Sequence, residues 1–252
     1  HILRNIKQEI IFKDVTDDFS SLGIFGPNSR KFLTALFGNY FSNKDFPFAT
    51  GKYINFLNIK IWFQRLSFVG ELGWELYIPI NDSKKIFNKI QTLGKKYHLC
   101  YSGMHAMDIL RLEKKFLHWG HDITSENNPI EAGLRFAVSL KKLNYFIGKE
   151  SIEKIISKPL EKKLELFSLK KCKVPGQPLL MHDEPIFFKD KIIGYSTSSN
   201  YSFNYKKNIF LAYVKADIDL TNNLNIEVEG RKYLLNHEAD CLHDPTGKIL
   251  RN

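Results

Sequence analysis

Glu75 and Tyr77 stand two residues apart in the stretch VGELGWELYIP, Val69 to Pro79, a spacing that puts both side chains on one face of a β-strand. Strict alternation sends Phe68, Gly70, Leu72, Trp74, Leu76 and Ile78 to a core face, and Val69, Glu71, Gly73, Glu75 and Tyr77 to the other. A carboxylate on that second face accepts two parallel N–H bonds, which suits a planar, guanidine-like edge such as the amino-pyrimidine of a pterin. Gly70 and Gly73 would let a flat ring approach the backbone. A solvent-facing glutamate on an edge strand is the other reading, and the residues alone leave both open.

Two further groupings have chemical potential. HWGHD brings His118, His121 and Asp122 together, but zinc needs three or four converging ligands and nothing completes the set, so a loop-shaping role is expected and no metal. Asp108 and Arg111 lie three apart in GMHAMDILRLEKKF, the spacing of a helix-supporting ion pair. There is no GxSxG elbow, P-loop or GxGxxG, which removes serine hydrolysis, nucleotide hydrolysis and a dinucleotide-binding half from this stretch.

The elements that must position these residues alternate between strand and helix. IIFKDVT reads as an opening strand; Gly26-Pro27-Asn28 is a turn, and Ser29 caps a helix carrying Phe32, Leu33 and Leu36. The run from Ile54 to Pro79 reads as a hairpin of two long strands with Asn58 near its turn. Asp82 or Ser83 then caps a helix with Ile86, Phe87, Ile90 and Leu93 on one stripe, and a second helix spaces Met104, Met107, Leu110 and Lys114. A loop, a strand ending in FAVSL and a short helix in IGKESIEKIISK follow. Pro159 marks the expected domain boundary, dividing an α+β unit over residues 1–158 from a small antiparallel β-barrel over 159–252. In the latter, Lys189-Asp190 and Glu229-Gly230 are hairpin turns.

A chain of 252 residues, 43% hydrophobic, can bury a sizeable core in one or two domains. It opens at His1 with an apolar stretch at once, which reads as the continuation of a longer fold, and Arg4, Lys7 and Glu9 break any signal-peptide core. No apolar run reaches the roughly 20 residues of a membrane span, so no membrane partner is expected. Cys100, Cys172 and Cys241 are odd in number and lack a CxxC pair, which fits a reducing compartment: the cytoplasm or, in a eukaryote, the mitochondrial matrix. The 37 Lys and Arg outnumber the 27 Asp and Glu to give +10, but as dispersed pairs such as Lys95-Lys96 and Lys206-Lys207. Such a field attracts anions, a polyglutamate tail among them, yet no recognition motif points to nucleic acid.

SFVGELGWELYIP, AMDILRLEKKFLHWGHDIT, NPIEAGLRFAV and FIGKE, in this order and spacing, resemble the folate-binding aminomethyltransferase family of the glycine cleavage T protein. The likeness is nearest to the C-terminal half of dimethylglycine and sarcosine dehydrogenases; IIGYSTSSNYSFNYKKNIFLAYV and HDPTGKILRN are similar to the barrel that ends those chains. It covers the chain from about Phe19 onward. The resemblance implies that Glu75 grips the pterin of tetrahydrofolate, that Phe136 lines the folate site or packs, and that Met107 stands where T proteins carry an arginine. It also implies capture of a one-carbon unit from an N-methyl glycine as 5,10-methylenetetrahydrofolate. The catalytic aspartate and the FAD-carrying flavin domain would then lie in an N-terminal portion absent from this chain, and no catalytic residue can be named on it. Two other members of the same scaffold stand as alternatives: a non-catalytic regulatory relative, and a stand-alone aminomethyltransferase served by a lipoyl carrier protein.

Overall fold

The computed structural model describes residues 2–5, 10–171 and 174–252; Lys7, Glu9 and Cys172, used above, lie outside them. It is an α+β chain that ends in a closed antiparallel barrel. Contacts divide it into two compact units, one of residues 1–67, 71–101 and 250–252, the other of 68–70 and 102–249.

The first unit is a four-stranded antiparallel sheet, β1 (Phe19–Phe25), β2 (Gly51–Phe56), β3 (Ile59–Gln64) and β4 (Gly73–Pro79), in the order β1-β4-β3-β2. A four-residue helix α1 (Ile2–Asn5) precedes it. Helices α2 (Ser29–Phe37) and α3 (Ser83–Gly94) cover one face, because alternation on the strands and helical spacing on the helices present matching apolar surfaces. Trp74, Leu76 and Ile78 of β4 are fully buried, with Ile61 and Phe63 of β3, Leu33 of α2 and Ile86 of α3. Each such side chain contributes roughly 1.5–3 kcal/mol. Phe41 meets the Trp74 ring edge-on at 5.5 Å.

Several expected elements differ. IIFKDVT is not a strand: the Asp14 carboxylate accepts bonds from the Thr16 amide at 2.9 Å and its hydroxyl at 2.6 Å, a local turn that competes with any ladder. The sheet instead starts at Phe19. The hairpin turn at Asn58 is present, with Leu57 and Asn58 both left-handed at φ 53° and 64°. The strand after it stops at Gln64, where the Leu66 amide turns back onto the Gln64 carbonyl at 3.0 Å, and β4 begins only at Gly73. Ser29 does not cap α2; its hydroxyl donates to the Leu72 carbonyl at 3.0 Å. Nor does Asp82 or Ser83 make a side-chain cap on α3: no side-chain bond forms there, and Ser83 Oγ donates to the Ile80 carbonyl at 2.7 Å. On α3, Phe87 falls at the exposed margin of the stripe.

The second unit holds helices α4 (Met104–Glu113) and α5 (Lys149–Ile156) and six strands: β5 (Lys162–Leu169), β6 (Pro185–Phe188), β7 (Lys191–Ser202), β8 (Lys207–Lys215), β9 (Leu224–Val228) and β10 (Arg231–Glu238). They close in the order β10-β5-β8-β7-β6-β9. Lys189 sits at φ 56° between β6 and β7, and Glu229 and Gly230 at φ 50° and 73° between β9 and β10, so both expected turns are formed. Phe167, Phe210 and Ile226 fill the interior. FAVSL forms no strand, because the amides of Ala137 and Val138 are spent on turn bonds to Leu134 and Arg135. The last turn of helix, α6, spans Lys248–Arg251.

Candidate functional site

With Trp74, Leu76 and Ile78 committed to the core, the pleat leaves Glu75 and Tyr77, both half-buried, on the opposite face of β4. Glu75 is flanked by Gly23 of β1 and Gln64 of β3, and Tyr77 by Ser21 and Trp62. The Tyr77 hydroxyl donates to Glu75 Oε2 at 3.0 Å. It is the one hydrogen-bond partner of that carboxylate's oxygens among the described residues, and Oε1 has none there. Burial raises the Tyr77 pKa first, and the hydrogen bond to Glu75 and its negative charge raise it further, against a smaller opposing effect of Ser21. The phenol therefore stays protonated near neutral pH and remains a donor. Beside it a cavity of about 490 Å3 is bounded by Phe12, Val15, Phe19, Ser21 and Tyr77.

The glycines expected to admit a flat ring serve packing instead. A Cβ on Gly73 would run into the Phe25 ring and lie 2.8 Å from the Ile24 carbonyl oxygen, and one on Gly70 would meet the Lys114 side chain at 3.1 Å. Tyr77, by contrast, was placed beside Glu75 by the alternation without being given a role, and its hydroxyl bonds that carboxylate.

In the second unit, Met107 lines a cavity of about 530 Å3 together with Phe68, His118, His121, Met181 and Asn200. Arg111, buried at its wall, uses most of its fork: Nε donates to Asp108 at 2.8 Å, Nη1 to Asp122 at 2.5 Å and to the Phe116 carbonyl at 3.1 Å, and Nη2 to Ser198 at 2.8 Å. Asp122 also accepts from the His118 amide at 2.9 Å and the Thr197 hydroxyl at 2.6 Å. So the Asp108–Arg111 pair is part of a buried network that fastens α4 to β7. The His118 and His121 rings stack at 4.7 Å, and no group of three or more His, Cys, Asp or Glu among the described residues is arranged to hold a metal. Phe136 is 86% exposed on a short turn, Arg135–Ala137. Glu75 thus belongs to the first unit, and Met107 and Phe136 to separate elements of the second.

A four-stranded antiparallel sheet with a half-buried carboxylate on the face away from its core, together with a closed six-stranded antiparallel barrel, defines the class as α+β. Residues 1–142 match the family described as GCVT N-terminal domain, and residues 163–244 the glycine cleavage T-protein C-terminal barrel domain. The chain belongs to the glycine cleavage T-protein family. It is 33% identical over 261 residues to the mitochondrial dimethylglycine dehydrogenase of Homo sapiens, covering 100% of this chain and 30% of that one. It is 32% identical over 232 residues to the aminomethyltransferase of Listeria monocytogenes serotype 4a (strain HCC23), covering 92% of this chain and 61% of that one. The crystal structure of the glycine cleavage system aminomethyltransferase T from Bartonella henselae superposes with a TM-score of 0.76 at 21% identity, over 89% of this chain and 60% of that one. The chain therefore spans less than a third of the dehydrogenase and about three fifths of the aminomethyltransferase. No helix among the described residues is long and apolar enough to cross a membrane.

Proposed function

We propose that this chain is the tetrahydrofolate-gripping part of a flavin-linked demethylating enzyme acting on an N-methyl glycine such as dimethylglycine or sarcosine. The observation that carries the reading is the Glu75 carboxylate, set on a strand face by a buried neighbour on either side, with Oε2 held by Tyr77 and Oε1 without a hydrogen-bond partner among the described residues. That acceptor fits a pterin, whose amino-pyrimidine edge offers two parallel N–H groups to a carboxylate. When bound, tetrahydrofolate supplies the amine nitrogens that take up a one-carbon unit at the formaldehyde level. Glu75 fixes the orientation of the ring, and Tyr77 is a positioning residue that keeps Glu75 Oε2 turned toward it. Met107 lines the cavity of the second unit and Phe136 offers an exposed aromatic face; both are assigned to folate contact. The pterin grip is assigned to a domain of residues 1–158 and the barrel domain to 159–252, with FAD and the proton-handling carboxylate carried elsewhere in the protein.

A stand-alone aminomethyltransferase is the second reading, favoured by the similar identity to the Listeria protein. The protein carrying this chain separates the two when supplied with tetrahydrofolate and either a methylated glycine or an aminomethylated lipoyl carrier protein. Oxidation of the methylated glycine with the carbon recovered on folate supports the first reading; transfer from the carrier alone supports the second. Calorimetric titration that shows no tetrahydrofolate binding overturns both.

A further inference from the structure

Register places four residues on one rung across the open face of the first unit's sheet: Gly23 of β1 pairs with Glu75 of β4, Glu75 with Gln64 of β3, and Gln64 with Gly51 of β2. Directly paired residues share a face, so the Glu75 and Gln64 side chains rise side by side from Cβ atoms about 4.5–5.5 Å apart. Gln64 is half-buried, and its side-chain amide forms no hydrogen bond among the described residues. Both ends of the rung are glycine, and an aromatic ring from a neighbouring rung reaches over each. A Cβ on Gly23 would run into the Phe25 ring, and one on Gly51 into the Trp62 indole. The two rings lie against the backbone because the glycines have no side chain there. The rung therefore presents a carboxylate and an amide between two flat apolar surfaces. On the next rung, Ser21 and Tyr77 border the cavity of about 490 Å3. A carboxylate only accepts hydrogen bonds, whereas the amide –NH2 donates. The pterin edge assigned to Glu75 carries in sequence the 2-amino N–H, the N3–H and the 4-oxo oxygen: donor, donor, acceptor. With the carboxylate on both donors, the oxygen beside N3 needs a donor of its own, and Gln64 supplies a neutral one at a single cross-strand spacing.

We infer that Gln64 is a specificity-determining residue of this face, its side-chain N–H donating to the 4-oxo oxygen of the ring whose two N–H groups Glu75 accepts; the inference rests on the reading of Glu75 as the pterin grip. The test titrates the protein carrying this chain, by calorimetry, with tetrahydrofolate and with its 4-deoxy analogue, which lacks that oxygen. Gln64→Met keeps the length of the side chain and removes its donor. It should lower tetrahydrofolate affinity by about 2- to 13-fold, the worth of one neutral hydrogen bond, and leave the affinity for the analogue unchanged. A purely structural role for Gln64 would not distinguish the two ligands. The inference is overturned if Gln64→Met weakens both alike or binds both as the wild type does. Either result leaves the folate reading standing when Glu75→Gln weakens tetrahydrofolate binding in parallel titrations. A wild-type protein that does not bind tetrahydrofolate, or a Glu75→Gln variant that binds it unchanged, overturns the folate reading and this inference with it.

Discussion

Arg111 Nη1 and Asp122 Oδ2 meet at 2.5 Å with side-chain exposures of 2% and 0%. Charges so placed are stable only as a pair, because each would otherwise be buried uncompensated. Asp122→Asn is expected to cost about 3–5 kcal/mol in urea or guanidinium unfolding, and Arg111→Lys a similar amount, since an ammonium cannot reproduce the fork that reaches Asp108, Ser198 and Phe116 at once. The Asp122→Leu, Arg111→Met double variant should be more stable than either single change.

Glu75→Gln keeps the shape of the site but replaces an acceptor with a donor facing the N–H groups of the ring. A mismatch of roughly 1–3 kcal/mol corresponds to about a 5- to 150-fold loss of tetrahydrofolate affinity by calorimetry. On the proposed function, oxidation of the methylated amine takes place elsewhere in the protein and should continue in that variant, with formaldehyde released. Tyr77→Phe removes only the orienting bond and should cost about 0.5–1.5 kcal/mol, that is, about 2- to 13-fold.

Tyr213 in β8 has a buried hydroxyl without a hydrogen-bond partner among the described residues, and burial, followed by the charges of Glu131 and Asp122, pushes its pKa up to about 12. Above an unfolded value near 10, the unfolded chain loses its proton first, so this residue's contribution is fully present below pH 10 and declines as pH rises toward about 12. Tyr213→Phe should flatten the stability profile over that window and leave Tm at pH 7 unchanged or higher, which melts between pH 7 and 12 would read.

A Cβ on Gly194 would collide with the backbone carbonyl of Tyr213 on the neighbouring strand. Backbone cannot swing aside as a side chain can. Gly194→Ala should therefore destabilise the barrel by about 1–3 kcal/mol or more. In the first unit the opposite change helps: Leu57→Gly at φ 53° relieves a left-handed strain and should raise stability by about 1 kcal/mol.

What could be read from the sequence follows from how local each cause is. The alternation of Trp74, Leu76 and Ile78 against Glu75 and Tyr77 is a period-two signal, and Asn58 and Glu229-Gly230 are turn residues with their own backbone preferences, so β4, the first hairpin and the barrel strands were legible. Ile10–Thr16 has the same alternation but carries Asp14, whose short-range bonds to Thr16 win over a ladder that has no partner strand. Arg65 and Arg111 were not legible as buried residues. Their acceptors lie up to 187 positions away, at Asn252, and 87 away, at Ser198, and no spacing along the chain encodes such a meeting. Gly73 misled for a related reason, its neighbour being Phe25 across the ladder.

The barrel closes through β5, which pairs with β8 on one side and β10 on the other. Leu235 of β10 lies opposite Leu169 of β5, so the first strand made is hydrogen-bonded along its full perimeter only when the last has been made. At about 5–20 residues per second of synthesis, β5 waits on the order of 3–13 s for β10, with both edges unpaired until β8 is made and one edge thereafter. During that interval its apolar run Leu164, Leu166 and Phe167, buried in the finished barrel, is open to any passing chaperone or to a neighbouring nascent copy. The order in which this barrel is wound thus makes its expression sensitive to translation speed in a way that its finished stability does not reveal.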